Sequence, residues 1–220
     1  DNRTRGILQS TVNSSDIPLL TGTIHTSFEN NSKYYYNSSM FIIPQKKYEL
    51  YSKIHLVPFA EYDLLPSIFH PLTKLNINID RGNFKSGNDY KVFKYENLSF
   101  SNLICYESSI PKISRTFVSK GAEFLIIQAN DGWLGSSFGP YQHFELARLR
   151  AIENRIPIVR CANTGISGII NFDGSIKTKV KLNEKKIIFE SLSSNKNGSF
   201  YTQYGDIFAI IISIIILIVI

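Results

Sequence analysis

The sequence predicts a layered α/β domain, with helices packed outside a sheet core. Three observations support this class: short apolar runs typical of buried strands, helical spacing of apolar residues between some of these runs, and turn residues between the others. With 220 residues and a mass of 25.0 kDa, the chain is long enough to bury one substantial core. We therefore predict one domain over residues 1–200.

The first part of the chain predicts a helix followed by a strand meander. Residues 1–16 carry a weak helical pattern of apolar positions, which predicts the end of a helix. Strands are predicted over 18–23, 34–43 and 48–54, because short polar turns separate these apolar or alternating runs. Residues 63–90 contain several Pro and Gly residues, which predict a long surface loop able to cover a site.

The rest of the chain predicts strands that alternate with helices. Ile110, Ile113 and Phe117 recur at helical spacing, and Gly121 supplies a stop signal. Pro140 begins the longest predicted helix, since proline is favoured in a first helical turn. The predicted elements are strands over 91–95 and 98–104, a helix over 109–120, a strand over 124–128, a helix over 140–154, a strand over 156–161, a hairpin over 168–176 and a strand around 187–189.

The last residues, 207–220, are apolar without a break. This run is shorter than the roughly 20 residues that span a bilayer. We predict that it begins a C-terminal transmembrane helix; a buried terminal strand and an expression artefact are the alternatives. The chain starts at Asp1 and its one methionine is Met40, so we expect a fragment of a longer protein.

Composition excludes several classes of function. The net charge of +6 is spread along the chain, which argues against nucleic-acid binding and favours, more mildly, an anionic membrane surface. The two cysteines are far apart in sequence and suggest no disulfide framework. The four histidines show no ligand spacing, so we predict no metal and no cofactor.

Cys105 is the candidate nucleophile. It ends the apolar run 98–104 and is followed by polar residues, so a buried strand would hold the thiol rigidly at its open end. The structural alternative is that Cys105 is a small residue of the hydrophobic core. Lys53 lies among apolar residues near the end of another predicted strand, where it is either a surface lysine or a cation beside a thiol.

Several stretches together resemble a known superfamily. Tyr51-Ser52-Lys53, Ile104-Cys105-Tyr106-Glu107 and the helix end over 150–154 resemble the carbon–nitrogen hydrolases, or nitrilases. Within that superfamily, residues 53–61, 130–135 and 139–144 are similar to the apolipoprotein N-acyltransferases. This resemblance covers nearly the whole chain. It implies a four-layer α-β-β-α sandwich in a bacterial inner-membrane enzyme, with the catalytic domain on the periplasmic side.

The resemblance also implies roles for named residues. Cys105 would be the nucleophile and Lys53 the cation that favours its thiolate and stabilises an oxyanion. Glu61 would orient Lys53 or the incoming amine, and Tyr106 and Glu107 would support the nucleophile turn. The reaction implied takes an acyl chain from a membrane phospholipid onto Cys105 as a thioester, and then to the α-amino group of a diacylglyceryl-cysteine lipoprotein.

Other polar residues in these stretches have structural alternatives. Asn130 and Trp133 are supporting candidates, although Trp133 is also suited to packing or to a pocket wall. Glu107 could instead cap the start of the helix over 109–120. We predict a structural ion pair between Arg150 and Glu153 within the helix over 140–154. We also predict that Asn163 fixes the turn over 163–165.

One departure from the family pattern matters. No residue before Leu19 matches the family's general-base glutamate, and Glu61 and Glu107 match other positions. We expect the base to precede residue 1; otherwise the domain is catalytically incomplete. Two rival functions remain at this stage: an amidase or nitrilase acting on small soluble amides, and a membrane-tethered domain that has lost catalysis.

Overall fold

The computed structural model describes residues 2–58, 60–62, 84–135, 137–193, 195 and 198–219. The chain divides into two compact units, Asp1–Tyr90 and Lys91–Ile220. Most of the loop predicted over 63–90, namely residues 63–83, lies outside the described residues.

The first unit contains the predicted helix and strand meander. Strands β1, β2 and β3 pair antiparallel in that order, and the β1–β2 hairpin turns at Asn30 and Asn31, whose φ angles are 47° and 63°. Asparagine tolerates this left-handed conformation, which explains the tight turn and the long paired strands. β1 extends well beyond the predicted 18–23. The elements are α1 (Asn2–Ser15), β1 (Leu19–Glu29), β2 (Ser32–Ile42) and β3 (Glu49–Ser52).

Helix α1 packs against this sheet through a small apolar cluster. Val12 of α1 is buried with Met40 and Ile42 of β2, and Leu8 and Leu19 pack against them. The weak helical pattern that predicts α1 therefore marks the face that contacts the sheet.

The second unit is built on a sheet whose strand order is β4-β5-β6-β7-β8-β9. The three central strands, β5, β6 and β7, run parallel, and the remaining pairs are antiparallel. The strands are β4 (Phe93–Tyr95), β5 (Leu98–Ile104), β6 (Phe124–Ala129), β7 (Ile158–Ala162), β8 (Ser167–Ile170) and β9 (Ile176–Val180).

Each parallel pair is joined by a helical crossover, as parallel strands require. Helix α2 connects β5 to β6, and α3 connects β6 to β7. Pro111 and Pro140 lie in the first turns of these helices, as predicted for Pro140. The helices are α2 (Pro111–Ser119), α3 (Gly139–Asn154), α4 (Phe200–Tyr204) and α5 (Ile207–Val219), with 3₁₀ helices at Cys105–Ser109 and Asp131–Leu134.

This topology sets the place of the site. The carboxyl ends of β5, β6 and β7 meet at one edge of the sheet, where α/β proteins commonly place functional residues. Cys105 follows β5 directly and Asp131 lies two residues beyond β6. Their positions follow from the strand order.

The structure bears on two features predicted near the C-terminus, the strand around 187–189 and the helix that begins at residue 207. Residues 187–189 form no strand; Ile187 and Phe189 are exposed, so their apolar character does not reflect a buried position. The apolar terminus forms helix α5 rather than the alternative strand. Within the described part of the chain, no helix is long and apolar enough to cross a membrane, and the transmembrane assignment stays a prediction.

Candidate active site

Cys105 lies on a sharp turn between strand β5 and a 3₁₀ helix. Its φ angle is 51°, a left-handed conformation that costs energy for a residue with a side chain. The residue is half-buried, so it is held by its surroundings and is still partly exposed. A strained strand-to-helix turn of this kind presents a nucleophile at the edge of a sheet. This geometry favours the nucleophile over the core alternative.

Polar groups of the same turn hold it in place. The buried carboxylate of Glu107 accepts a hydrogen bond from the Ile104 amide at 2.8 Å, and the Ser108 hydroxyl donates to the Cys105 carbonyl at 2.8 Å. Glu107 therefore caps the turn that carries Cys105, rather than the helix after it. Tyr106 lies in the same turn and is half-buried.

Arg150 connects helix α3 to this turn. Its Nη2 forms the predicted ion pair with Glu153 at 2.6 Å, and its Nη1 donates to the Ser109 carbonyl at 3.3 Å. Burial raises the pKa of Glu153, and the charge of Arg150 only partly opposes this. The pair is thus structural, and it ties α3 to the end of the nucleophile turn.

A buried network behind Cys105 was not predicted. The Nε2 atom of His143 lies 2.8 Å from the Ser108 hydroxyl and 3.1 Å from the Cys105 carbonyl oxygen. Its Nδ1 atom lies 2.8 Å from Oδ1 of Asp131, whose other oxygen accepts a hydrogen bond from Arg160 at 2.7 Å. The same Nδ1 atom lies 3.1 Å from Nη2 of Arg160, so the His143 ring contacts Asp131 and Arg160 on one side and the nucleophile turn on the other.

Burial and charge shape the electrostatics of this network. Burial alone would raise the pKa of Asp131, but the hydrogen bond from His143 and the charge of Arg160 outweigh it, so the pKa is lowered. Burial lowers the pKa of Arg160, whereas the charges of Asp131 and of a Cys105 thiolate raise it. The guanidinium remains protonated in any protein environment of this kind. Arg160 is therefore a permanent cation at the base of the site.

The Cys105 sulfur belongs to the same cluster. A sulfur, a ring nitrogen and a carboxylate oxygen from Cys105, His143 and Asp131 lie within 4.8 Å of one another. This spacing is short enough for one cation to bridge, but the guanidinium of Arg160 already takes the second oxygen of Asp131. The absence of a metal stays a prediction from the sequence.

The loops around Asp131 show where the other predicted residues lie. Asn130 accepts a hydrogen bond from the Gly132 amide at 3.3 Å and so begins the 3₁₀ helix that carries Asp131. Trp133 is 64% exposed, which contradicts the packing alternative for it. Gly165, in the turn predicted over 163–165, faces Asp131 so closely that a Cβ atom would lie 2.1 Å from Oδ2. Only glycine leaves room for the carboxylate there.

Lys53 and Glu61 form a buried ion pair in the first unit. Lys53 is 1% exposed, which excludes the surface-lysine alternative, and its Nζ lies 2.6 Å from Oε2 of Glu61. The same oxygen accepts the Val57 amide at 2.7 Å, and Oε1 accepts the side-chain amide of Asn37 at 2.7 Å. Three donors thus hold Glu61, and Glu61 in turn holds Lys53.

Backbone contacts fix Lys53 from both sides. Its amide donates to the Asn37 carbonyl at 2.8 Å, and its carbonyl accepts the Gly87 amide at 2.8 Å. Asn37 therefore supports both members of the ion pair, which no pattern in the sequence indicated. A Cβ atom on Gly87 would lie 2.2 Å from the Ser52 carbonyl oxygen, so the close approach requires glycine.

Sequence reasoning found only part of these arrangements. The first unit brings Lys53 and Glu61 together, and the second unit places Tyr106 and Glu107 in the turn of Cys105. Asp131 and His143 lay within motifs that the sequence singled out, but Arg160 did not. The available signal was positional: Asp131 follows one strand of the parallel sheet, and Arg160 lies in the next strand.

The chain matches proteins of known family. The family model described as carbon–nitrogen hydrolase matches residues 3–200. The apolipoprotein N-acyltransferase of Rickettsia typhi is 37% identical over 218 residues, covering 97% of this chain and 43% of that protein. The enzyme of the same name from Geobacter metallireducens is 38% identical over 157 residues, covering 71% of this chain and 30% of that protein. The chain thus spans less than half the length of these relatives.

Solved structures share the fold. Nit3 of Saccharomyces cerevisiae, a member of the nitrilase superfamily, matches with a TM-score of 0.62 and 20% identity, over 82% of this chain and 61% of that one. A carbon–nitrogen hydrolase from Helicobacter pylori matches with a TM-score of 0.66 and 14% identity, over 84% of this chain and 64% of that one. At such identities the likeness shows a nitrilase-like α/β fold and nothing finer.

Proposed function

Because the chain belongs to the carbon–nitrogen hydrolase family, we propose that it is the nucleophile-bearing part of an enzyme that N-acylates bacterial lipoproteins. The observation that carries this proposal is the placement of Cys105, half-buried on a left-handed turn at the carboxyl end of a central strand. The choice of acyl transfer over amide hydrolysis is supported by the 37% identity to the apolipoprotein N-acyltransferase of Rickettsia typhi over 97% of the chain.

The first half-reaction transfers an acyl chain to the cysteine. The Cys105 thiolate attacks the ester carbonyl of a membrane phospholipid and forms a C–S bond. The tetrahedral intermediate collapses with cleavage of the C–O ester bond, and the lysophospholipid leaves as an alcohol after taking up the proton that the thiol lost. Cys105 is left as a thioester, which is reactive toward amines.

Lys53 serves as the cation of this step. Its burial and its pair with Glu61 support the role, because a fixed ammonium in a low-dielectric site stabilises negative charge far better than a solvated one. Glu61 is a positioning residue: its three donors leave it bound to Lys53 rather than able to remove a proton. The general base is a different carboxylate, as the family resemblance implies.

The second half-reaction delivers the acyl chain to the lipoprotein. The neutral α-amino group of a diacylglyceryl-cysteine attacks the thioester, a C–N bond forms and the C–S bond breaks. The amine proton passes to the general base and Cys105 is regenerated. Tyr106 and Glu107 act by holding the turn that presents the sulfur; the Glu107 bond to the Ile104 amide supports this role.

A membrane setting completes the proposal. Both substrates are lipids, so the enzyme acts at a bilayer, and we assign the catalytic domain to the periplasmic side of the bacterial inner membrane. Helix α5 supports contact with lipid, because its apolar side chains over 207–218 are mostly exposed. A transmembrane helix that begins at residue 207 is part of the same proposal.

The function is tested by lipopeptide acylation in membranes that contain the protein. A diacylglyceryl peptide and phospholipid should yield the N-acyl peptide, and Cys105→Ser or Lys53→Met should reduce the yield at least a hundredfold. The matched controls are Cys161→Ala and Lys85→Met, an exposed cysteine and a lysine on the surface of the first unit, which should leave the yield unchanged. Hydrolysis of small amides with no N-acyl peptide would overturn the proposal in favour of an amidase. No Cys105-dependent turnover of either substrate would favour a non-catalytic domain.

A further inference from the structure

The network of Asp131, His143 and Arg160 is not explained by the two half-reactions. It is buried: Asp131 is 1% exposed, Arg160 2% and His143 8%. Burying three ionisable side chains costs desolvation energy, which mutual contacts recover only in part. The network therefore calls for a role beyond filling the core.

The geometry connects the network to the backbone of the nucleophile. His143 contacts the Cys105 carbonyl oxygen at 3.1 Å and the Ser108 hydroxyl at 2.8 Å, and that hydroxyl donates to the same carbonyl. Oδ1 of Asp131 lies 2.8 Å from Nδ1 and so fixes the orientation of the ring. These contacts hold Cys105 in its left-handed conformation, which would otherwise be unfavourable.

Arg160 adds positive charge to the network. It donates to Asp131 through Nη2 and to the Ile166 carbonyl through Nε at 3.1 Å, but its buried Nη1 atom has no hydrogen-bond partner among the described residues. A buried N–H donor without a hydrogen-bond partner, on a side chain that stays charged, destabilises the fold unless a negative charge lies nearby. A Cys105 thiolate would be such a charge, because the Cys105 sulfur lies within 4.8 Å of side-chain atoms of Asp131 and His143, the two residues that Arg160 Nη2 contacts.

The other charged groups around Cys105 do not replace this cation. In its own turn, the Glu107 carboxylate is bound to the Ile104 amide, and from α3, Arg150 is bound to Glu153 and Ser109. Tyr106 is the other titratable residue of the turn. Among the described residues of the second unit, the titratable or charged groups in this turn or in contact with it include Tyr106, Glu107, His143 and Arg150, and Asp131 and Arg160 contact the far side of His143.

We propose that Asp131, His143 and Arg160 are positioning residues for Cys105, and that Arg160 is a second fixed cation that favours its thiolate. The inference rests on the proposed role of Cys105 as nucleophile. It predicts that thiol reactivity depends on the charge of Arg160 and on the His143 bridge, in the absence of any lipid substrate.

The test measures alkylation of Cys105 by iodoacetamide as a function of pH. The full protein carries Cys161→Ala, and peptide mass spectrometry reads the modified fraction of the Cys105 peptide. Arg160→Met should lower the alkylation rate at pH 7 about tenfold and move the midpoint of the profile about one pH unit upward. Arg160→Lys keeps a charge and should restore part of the shift. Arg148→Met removes an arginine of helix α3 that contacts the Gly174 carbonyl rather than the network, and it should leave the midpoint unchanged.

A purely structural role predicts a different result. Then Arg160→Met and Arg160→Lys would lower stability while the midpoint of every folded sample stays at the wild-type value, and the proposal would be wrong. If Arg160→Met fails to fold, His143→Gln decides: slower alkylation across the whole pH range supports the bridge to the Cys105 carbonyl, and an unchanged rate overturns it. Because no acyl donor is present, failure here is separate from failure of the acyltransferase proposal.

Discussion

The ammonium of Lys53 lies 2.6 Å from Oε2 of Glu61. The side chain of Lys53 is 1% exposed and that of Glu61 is 14% exposed, so both charges are largely shielded from water. In such surroundings the two charges depend on each other, since each alone would be a buried, uncompensated charge. The Asn37 and Val57 donors add two further hydrogen bonds to the carboxylate. The pair is therefore held in place from several sides, as the proposed role of Lys53 requires.

Removing the charge of Glu61 should disturb both stability and catalysis. Glu61→Gln leaves the buried Lys53 without its counter-charge, and we expect a loss of about 3 kcal/mol in the free energy of unfolding. Urea unfolding measures this loss. Glu29→Gln is the matched control, because it removes the exposed pair of Glu29 with Lys85 and should cost less than about 1 kcal/mol. Equal losses in the two variants would contradict the account of the buried pair.

The approach of Gly87 to strand β3 gives a second prediction. Gly87→Ala places a Cβ atom 2.2 Å from the Ser52 carbonyl oxygen, so the backbone that bonds to Lys53 must shift. We expect a destabilisation of about 2 kcal/mol and a visible loss in melting temperature. Gly22→Ala, in the same unit with nothing within 4 Å of its Cβ, should be tolerated. Calorimetric scans measure the melting temperatures of both variants. An unchanged melting temperature for Gly87→Ala would show that this close approach does not require glycine.

Much of the fold follows from local sequence signals. Apolar runs predicted most of the strands, and the two signals used for helix ends, Gly121 and Pro140, lie just after α2 and in the first turn of α3. Residues 187–189 misled the prediction because a short apolar run says nothing about whether a partner strand is available. β1 was predicted too short because His25, Thr26 and Ser27 interrupt the apolar pattern in its distal half, which is only partly buried.

The site was less predictable because its contacts are remote in sequence. Asn37 and Glu61 meet across 24 positions, and Asp131 and Arg160 across 29. Neither Asn37 nor Arg160 carries a local signal, since an asparagine in a strand or an arginine beside apolar residues is common on surfaces. Only the folded chain brings Asn37 into contact with Glu61 and places Arg160 in its buried position beside Asp131.

The buried carboxylate of Asp131 should make stability depend on pH. Folding lowers its pKa below the ordinary value of 3.8, so the native state binds this proton less tightly than the unfolded chain. The stabilisation is complete above that value and is lost as pH falls through the lower, folded pKa. Asp131→Asn should therefore be less stable than wild type by about 3 kcal/mol at pH 7, with a difference that shrinks below about pH 4.

Unfolding at a series of pH values measures this difference. Asp89→Asn, at an exposed position, is the control and should stay within about 0.5 kcal/mol of wild type throughout. A gap between Asp131→Asn and wild type that stays constant into acid would contradict the assigned charge state of Asp131.

Arg115 should anchor the C-terminal segment to helix α2. Its guanidinium donates to the carbonyl oxygens of Tyr201, Thr202 and Gln203, at 2.9, 3.1 and 3.1 Å, where α4 ends. A cation at a helix C-terminus satisfies carbonyl groups that the helix leaves unpaired. Arg115→Ala should therefore speed amide hydrogen exchange over residues 200–206 about tenfold or more. Lys112→Ala, exposed on the same helix, should not, and equal exchange in the two variants would remove this role.

The most direct test of the account is the mass of the Cys105 peptide after the protein, in membranes, is given phospholipid and no acceptor. The account predicts a long-chain acyl group on Cys105, absent in Cys105→Ala, retained in Cys161→Ala and released when a diacylglyceryl peptide is added. An unmodified Cys105 in protein that turns over small amides would contradict it.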